Sequence, residues 1–381
     1  MTQLRILQLI DSLKVGGAEV LLRDLVCHLQ ETGQHVHVGF STPGPLQKSL
    51  EEMQVGMTHL PRFARVDPFL FWGMCRLILR ERPDIVHTHL FKSDFHGRMA
   101  ARLCRVPVVV STTHNNDSWA QRFPFGNLYG LTTRLADRII AVSEGVRNFQ
   151  IQYTHTLPEK IVTIRSGVDI KKFEGRREDG KKVRSEFGIS PSTPVVGIVG
   201  RLQPQKDHET FLRAVRTILD ALPTVRFLIV GDGPLRDELT AQARTLDLLP
   251  SVIFCGIRKD IPAVLAAIDL LVFSSRWEGL PVALMEGMAA GKPIVSTDVG
   301  GVSDVAIAEE TAILVQPGDP SALADACLRI LRDPSLGQRF GSAGLTRIHE
   351  RYSLDAMVNN TQRLYEELWN GYLAKKNSHR L

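Results

Sequence analysis

The chain has 381 residues, 44% of them apolar and 23% charged, with a formal net charge of +5. That length exceeds one ordinary core and suits two domains of roughly 150 to 200 residues, and the balance excludes a disordered, collagen-like or multispanning chain. No apolar run approaches the ~18 residues that cross a bilayer. The opening stretch Arg5 to Ile10 reads as a strand rather than a leader, because Gln8 and Asp11 interrupt it and no small-residue cleavage pattern follows.

Charge is uneven: 26 Lys and Arg face 18 Asp and Glu over residues 1–185, against 20 and 23 over 186–381. A basic first half suits an anionic surface or partner. Nucleic acid wants a denser basic stripe with interleaved aromatics, and aromatics are only 7% here. The five cysteines are far apart, odd in number and free of any C-x-x-C, so neither a disulfide framework nor a zinc ribbon is encoded, and a reducing cytoplasm is the simplest home.

Short β-branched runs alternate with longer segments of helical period. The first half has Arg5 to Ile10, Val36 to Phe40, Ile85 to His89, Val108 to Thr112, Ile139 to Val142 and Ile161 to Ile164. The second has Val195 to Val199, Arg226 to Val230, Val252 to Cys255, Leu270 to Phe273, Ile294 to Ser296 and Ala312 to Val315. Such alternation predicts parallel sheets covered on both faces, so the fold class is α/β with two tandem Rossmann-like doubly wound domains. The charged, apolar-poor stretch Lys171 to Lys182, followed by Pro191 and Pro194, reads as the linker. The expected domains are 1–185 and 186–353, with a terminal helix over 354–374 that can pack back on the first.

In open α/β sheets, ligands bind at the carboxyl ends of the strands, where glycine turns and helix N-termini converge. After the first strand, Gly16 and Gly17 open a helix, which fits either a phosphate-binding turn or a tight turn with no ligand. After Val199 come Arg201 and Lys206, a planar fork and a point charge suited to a diphosphate. After Val230 come Gly231 and Gly233, a poor dinucleotide fingerprint because Arg236 stands where the third glycine belongs. After Cys255, the turn Gly256-Ile257-Arg258 either presents backbone groups to a nucleobase or is a mere turn.

Two glutamates stand eight apart in the next loop and helix. Glu278 precedes Gly279, Leu280 and Pro281; Glu286 follows inside the helix that Pro281 favours. A carboxylate accepts from two neighbouring hydroxyls at once, as on a ribose. Leu284, Met285, Met288 and Ala289 surround Glu286, where an unpaired carboxylate is expensive, which favours a bound partner.

Glu278 and Glu286 as E-x7-E, with Gly291-Lys292-Pro293 following, resemble the retaining glycosyltransferases of family 4, which have the GT-B fold. Gly16-Gly17-Ala18-Glu19, Thr113-His114-Asn115, Ser166-Gly167-Val168-Asp169, Gly200-Arg201-Leu202 with Lys206, Gly231-Asp232-Gly233-Pro234, and Asp298 with Gly300-Gly301 extend the resemblance in order along most of the chain. Ser166 departs from the family's usual asparagine.

The resemblance implies a nucleotide-sugar donor held mainly by the second domain, a glycan or lipid-linked acceptor held mainly by the first, and reaction in the cleft between them. It implies that Arg201 and Lys206 grip the diphosphate and that Glu286 holds the ribose. Glu278, with backbone from Gly279, Leu280 and Pro281, would position the sugar; Gly16 and Gly17 would close on the phosphates, and His114 would lie near the sugar. Gly231, Gly233, Ile257 and Arg258 complete the expected donor contacts. No cofactor and no obligatory metal are expected. His87, His89 and His96 are the one rival metal set, with an acceptor-side wall as the preferred reading.

Phe69, Phe71 and Trp72, followed by Arg76, Arg80, Arg98, Arg102 and Arg105, fit either an anionic membrane face or a solvated helix with one buried side. A dinucleotide-dependent oxidoreductase using Gly231 to Leu235, and a nucleotide-sugar-binding protein without catalysis, are the alternatives.

Overall fold

The computed structural model describes residues 3–63, 67–115, 118–121 and 125–378. They form two compact units, Met1–Gly167 with Leu354–Leu381, and Val168–Ser353.

The first unit runs β1 (Arg5–Ser12), α1 (Gly17–Glu31), β2 (His35–Thr42), α2 (Leu46–Glu52), β3 (Gly56–His59), α3 (Pro68–Glu81), β4 (Ile85–His89), α4 (Phe91–Leu103), β5 (Val108–Thr113), α5 (Phe125–Thr133), β6 (Arg138–Ala141), α6 (Glu144–Thr154) and β7 (Ile161–Thr163). Its sheet has the order β3-β2-β1-β4-β5-β6-β7, with parallel pairing throughout. Every residue of β4 and β5 is buried, as a strand covered on both faces requires. Strand β3 was not legible: Gly-Met-Thr-His lacks a β-branched run and forms a half-exposed edge.

The second unit runs α7 (Arg177–Glu186), β8 (Val195–Val199), α8 (His208–Ala221), β9 (Arg226–Val230), α9 (Arg236–Thr245), β10 (Val252–Gly256), α10 (Ile261–Ala267), β11 (Leu270–Phe273), α11 (Val282–Ala289), β12 (Ile294–Thr297), α12 (Val302–Val305), β13 (Ile313–Val315), α13 (Pro320–Arg332) and α14 (Pro334–Arg351). The sheet order is β10-β9-β8-β11-β12-β13. Amphipathic α8 places Phe211, Leu212, Val215, Ile218 and Leu219 in the core, where Phe211 meets Phe227 edge to face with ring centroids 6.2 Å apart.

The division falls at Gly167/Val168 and not at 185/186. Helix α7 lies within the linker stretch of the sequence yet packs on α10, and Gly180 makes this possible: a Cβ there would stand 2.7 Å from the Ala266 carbonyl carbon. Arg184 fastens the pair through the Ala267 carbonyl at 2.9 Å and the Asp269 carboxylate at 2.7 Å. The final helix α15 (Leu354–Ser378) returns to the first unit, where it packs on α1 and β5 and buries Tyr365.

Each sheet reverses its winding once, between β1 and β4 and between β8 and β11. At such a switch point the two flanking loops diverge and leave a crevice at the carboxyl edge. In the first unit the loops are those of Gly16–Gly17 and of His89; in the second they carry Arg201 with Lys206, and Ser275 with Glu278.

Candidate active site

The switch point of the second unit is built around a buried carboxylate. Glu278, 5% exposed, accepts at Oε1 from Lys206 Nζ at 2.5 Å and from Ser275 Oγ at 2.6 Å, while Gln205 Nε2 lies 3.4 Å from Oε2. The loop after β11 is pinned in turn: the Arg276 amide donates to the Gln205 carbonyl at 2.8 Å, and Thr297 Oγ1 of β12 donates to the Ser275 carbonyl at 2.7 Å. Arg201 lies in the loop before Lys206, with its side chain exposed and with no ion-pair partner among the described residues. A half-buried lysine and a buried glutamate, each compensating the other, share these loops with the exposed Arg201; removing either partner would leave an uncompensated charge.

The glycine turns have a structural reason that the motifs alone do not reveal. A Cβ on Gly231, whose φ is +138°, would stand 2.0 Å from the Gly200 carbonyl oxygen, and one on Gly233 would stand 2.4 Å from that of Leu202. The loops after β8 and β9 therefore lie backbone on backbone, joined by Gly200 N to the Val230 carbonyl at 2.9 Å and Leu202 N to the Asp232 carbonyl at 3.0 Å. Gly300, φ +54°, packs equally close on the Glu278 backbone, 1.8 Å from Cβ to carbonyl oxygen, and so seats the carboxylate's own main chain.

Pro281 caps α11 with extended backbone, so the helix begins at Val282 and Glu286 lies half-buried in its second turn. Gly279, Leu280 and Pro281 are buried between Glu278 and the helix. Ile257 is 62% exposed beyond β10, but Arg258 is committed elsewhere: its guanidinium holds the Glu186 carboxylate of α7 with both NH groups and Asp260 at 2.7–2.8 Å. That ion cluster leaves the turn's backbone, and not the Arg258 side chain, as the available contact.

In the first unit, Gly16 caps α1 in extended conformation and Gly17 opens the helix. His114 follows β5, half-buried, and is joined to His89 by a 3.1 Å contact between His114 Nε2 and His89 Nδ1. His87 and His89 are buried side chains of β4, 1% and 2% exposed, which corrects their reading as an acceptor-side wall. His96 is not with them: its ring accepts from Asp67 N at 3.1 Å and meets the Lys92 carbonyl at 2.9 Å. Among the described residues no three His, Cys, Asp or Glu side chains gather as a metal would need. Burial lowers the histidines, His87 to about 3 and His114 to about 4, with His89 well below its usual value, so all three are neutral at neutral pH.

Arg98 is also corrected. It is fully buried, 3.4 Å from Asp94, and donates to Ser111, Thr132 and Tyr129 at 2.7–3.1 Å, so it takes no part in a basic surface. The exposed residues of α3 are Pro68, Phe69, Trp72, Arg76, Leu79 and Arg80. No helix among the described residues is long and apolar enough to cross a membrane.

Sequence reasoning missed Ser275 and Gln205, the neutral partners of Glu278. The Ser-x-x-Glu spacing was available as a signal for the first; nothing local points to the second. It also missed Gln8 and Tyr365, which join the histidines of β4.

A profile described as "Glycosyltransferase Family 4" matches residues 15–172, and one described as "Glycosyl transferases group 1" matches residues 193–333. The Escherichia coli UDP-Gal:alpha-D-GlcNAc-diphosphoundecaprenol alpha-1,3-galactosyltransferase is 31% identical over 272 residues, which cover 69% of this chain and 70% of that protein. The Bacillus anthracis N-acetyl-alpha-D-glucosaminyl L-malate synthase is 25% identical over 367 residues, 93% of this chain and 94% of the relative. The Anabaena protein HepE, solved in complex with UDP-glucose, has the same fold at a TM-score of 0.86 and 24% identity, over 96% of this chain and 100% of that one. Against these likenesses the oxidoreductase alternative has no support, and the chain belongs to glycosyltransferase family 4 as a nucleotide-sugar glycosyltransferase.

Proposed function

We propose that the enzyme transfers a hexose-type sugar, with retention of anomeric configuration and without an obligatory metal, from a UDP- or GDP-sugar to a glycan or lipid-linked acceptor. The observation that carries this reading is the Lys206–Glu278 pair, its carboxylate buried, with the exposed Arg201 in the same loop as Lys206 at the switch point of the second sheet. Two cations there match a diphosphate in charge and reach. When phosphate oxygens take the Lys206 ammonium, Ser275 still holds the Glu278 carboxylate, which is then open to sugar hydroxyls. Glu286 takes the ribose hydroxyls, and the backbone of Gly279 to Pro281 borders the sugar.

In the step we propose, the bond from C1 to the phosphate oxygen breaks as the bond from C1 to the acceptor oxygen forms on the same face. The acceptor's proton passes to the departing phosphate oxygen. Negative charge grows on that phosphate, and Arg201 and Lys206 stabilise it without reorganising. This places on two side chains the work a divalent ion would otherwise do, and activity abolished by EDTA and restored by a divalent ion would overturn it.

The acceptor reading rests on the E. coli relative, whose name gives a diphosphoundecaprenol-linked substrate, and on the outward residues of α3. Phe69 and Trp72 are 74% and 59% exposed, with Arg76 and Arg80 beside them, a pairing of aromatic rings and cations suited to an anionic bilayer surface on the cytoplasmic side. Sedimentation with vesicles containing anionic lipid, lost on Trp72→Ala, supports this docking; binding indifferent to lipid charge overturns it.

Thermal unfolding with UDP, GDP and NAD tests the whole reading. One diphosphate at 100 times its Kd stabilises by about 2.7 kcal/mol, and NAD leaves the midpoint unchanged. Glu286→Ala weakens donor affinity, whereas Arg201→Ala chiefly slows transfer. Wild-type turnover in both variants would remove the site assignment.

A further inference from the structure

Beneath the carboxyl edge of the first sheet, β1, β4, β5 and α15 deliver side chains to one continuous line of hydrogen bonds. His114 Nε2 lies 3.1 Å from His89 Nδ1, and His89 Nε2 lies 2.8 Å from Gln8 Oε1. Gln8 Nε2 lies 3.2 Å from the Tyr365 hydroxyl, which lies 2.5 Å from His87 Nδ1; His87 Nε2 ends the line at Thr112 Oγ1, 2.7 Å away. A neutral imidazole has one donor and one acceptor, so the line can run in only two directions.

The amide of Gln8 chooses between them. Its Nε2 faces the Tyr365 hydroxyl and can only donate, and its Oε1 faces His89 Nε2 and can only accept. Tyr365 therefore accepts from Gln8 and donates to His87. The Gln8 oxygen must then accept from His89 Nε2–H, leaving His89 Nδ1 to accept from His114 Nε2–H.

One atom is left over. His114 Nδ1 carries a lone pair, is shielded from solvent and has no partner among the described residues; the Oγ1 of adjoining Thr113 is also buried and unpaired. Buried polar atoms are rarely left so, and an imidazole lone pair at the carboxyl edge calls for a polar ligand. We propose that Tyr365, acting through Gln8 and His89, holds His114 in its Nε2–H tautomer, so that Nδ1 accepts a hydrogen bond from a sugar hydroxyl of a bound substrate. This deepens the proposed function and rests on it. Tyr365, Gln8 and His89 are positioning residues; a hydroxyl suits the place because it can donate to His114. The sugar can come from the donor or from the acceptor.

The test uses the full chain labelled with 15N-histidine, the His114 signal being assigned by its loss in His114→Asn. Long-range proton–nitrogen correlation should find Nε2 protonated and Nδ1 bare in the wild type. Tyr365→Phe and Gln8→Met break the line at different links, yet each should give mixed tautomers at His114 and lower kcat/KM by about tenfold, the loss of one oriented hydrogen bond. A rise confined to the KM of the nucleotide sugar assigns the hydroxyl to the donor; a rise confined to the acceptor's KM assigns it to the acceptor. Protonated Nδ1 in the wild type, or an unchanged tautomer in both variants, overturns the proposal. So does His114→Asn with wild-type transfer, and because diphosphate affinity at Arg201 and Lys206 is measured separately, that failure leaves the donor site standing.

Discussion

The two units wind their sheets around switch points of the same kind and fill them with opposite chemistry. In the second, a half-buried lysine pairs with a buried glutamate, an exposed arginine stands in the lysine's loop, and the neighbouring loops come close enough to exclude any residue but glycine. In the first, three imidazoles, an amide and a phenol are buried without charge and passed proton to acceptor along a line. A charged centre can stabilise a leaving group as charge develops; a neutral directed line can only orient. In the function proposed above, the chemistry falls to the second unit and the aiming of a hydroxyl contact to the first.

The largest effect should come from breaking the charged centre. Lys206→Ala removes a cation from the proposed diphosphate site and strands Glu278, and transfer should fall by about 10²–10³-fold, as for the loss of one preorganised group aimed at developing charge. Single-turnover kinetics with saturating donor is the measurement. A fall no greater than that of Tyr365→Phe would mean that the two centres do not divide the work as argued.

Next in size is the backbone approach. Gly231→Ala sets a Cβ against the Gly200 carbonyl at a positive φ and should cost about 3 kcal/mol or more. Gly256→Ala is the control, since its φ is +66° but nothing lies within 4 Å of the added atom, so only the conformational cost of about 1–2 kcal/mol remains. Urea midpoints of the two variants separate clash from dihedral strain.

Acid should distinguish the units. A histidine whose folded pKa is depressed binds its proton more readily when unfolded, so its contribution to stability is full above the unfolded value of 6.5 and is lost as pH falls toward the folded value. His87, His89 and His114 are depressed in the first unit, where desolvation is the leading cause in each; in the second, His208 is lowered to about 4 by burial, with the Lys206 charge adding. Each histidine contributes a slope of about 1.4 kcal/mol per pH unit below 6.5. Amide exchange between pH 6.5 and 5 should therefore find the first unit losing protection more steeply than the second. Equal slopes would mean that the imidazole line is already charged.

These centres were not equally legible. Twelve of the strands announce themselves as β-branched runs, and their carboxyl ends pick out Arg201, Lys206 and Glu278, because the loops of a doubly wound sheet bring local stretches to one edge. The reason Gly231 and Gly233 are glycines was not legible, since it lies in the carbonyls of another loop. Least legible was the neutral line: Gln8 and Tyr365 are 357 positions apart, and His87 and His89 look like metal ligands or a wall until the helix that covers them is in place. Arg98 misled for the same reason, its helical spacing with Arg102 and Arg105 suggesting a basic face when its own side is turned into the core.

The smallest expected effect concerns an ion pair of the same chemistry in a different setting. Glu309 and Arg329 meet in the second unit through two carboxylate oxygens at 2.6 and 2.8 Å, as favourable a geometry as that of Lys206 and Glu278. Both side chains, however, are at least half exposed, 57% and 50%, against 6% and 17% for Glu278 and Lys206. Water already solvates the exposed charges, and holding two long side chains together costs rotamer entropy that offsets most of the Coulomb gain. Glu309→Gln should leave the urea midpoint and the transfer rate where they are, whereas Glu278→Gln, which removes the buried charge facing the half-buried Lys206 ammonium, should lower both. A clear loss of stability in Glu309→Gln would mean that bidentate geometry, and not burial, sets the strength of ion pairs in this unit, and the special standing of the Lys206–Glu278 pair would lose its physical basis.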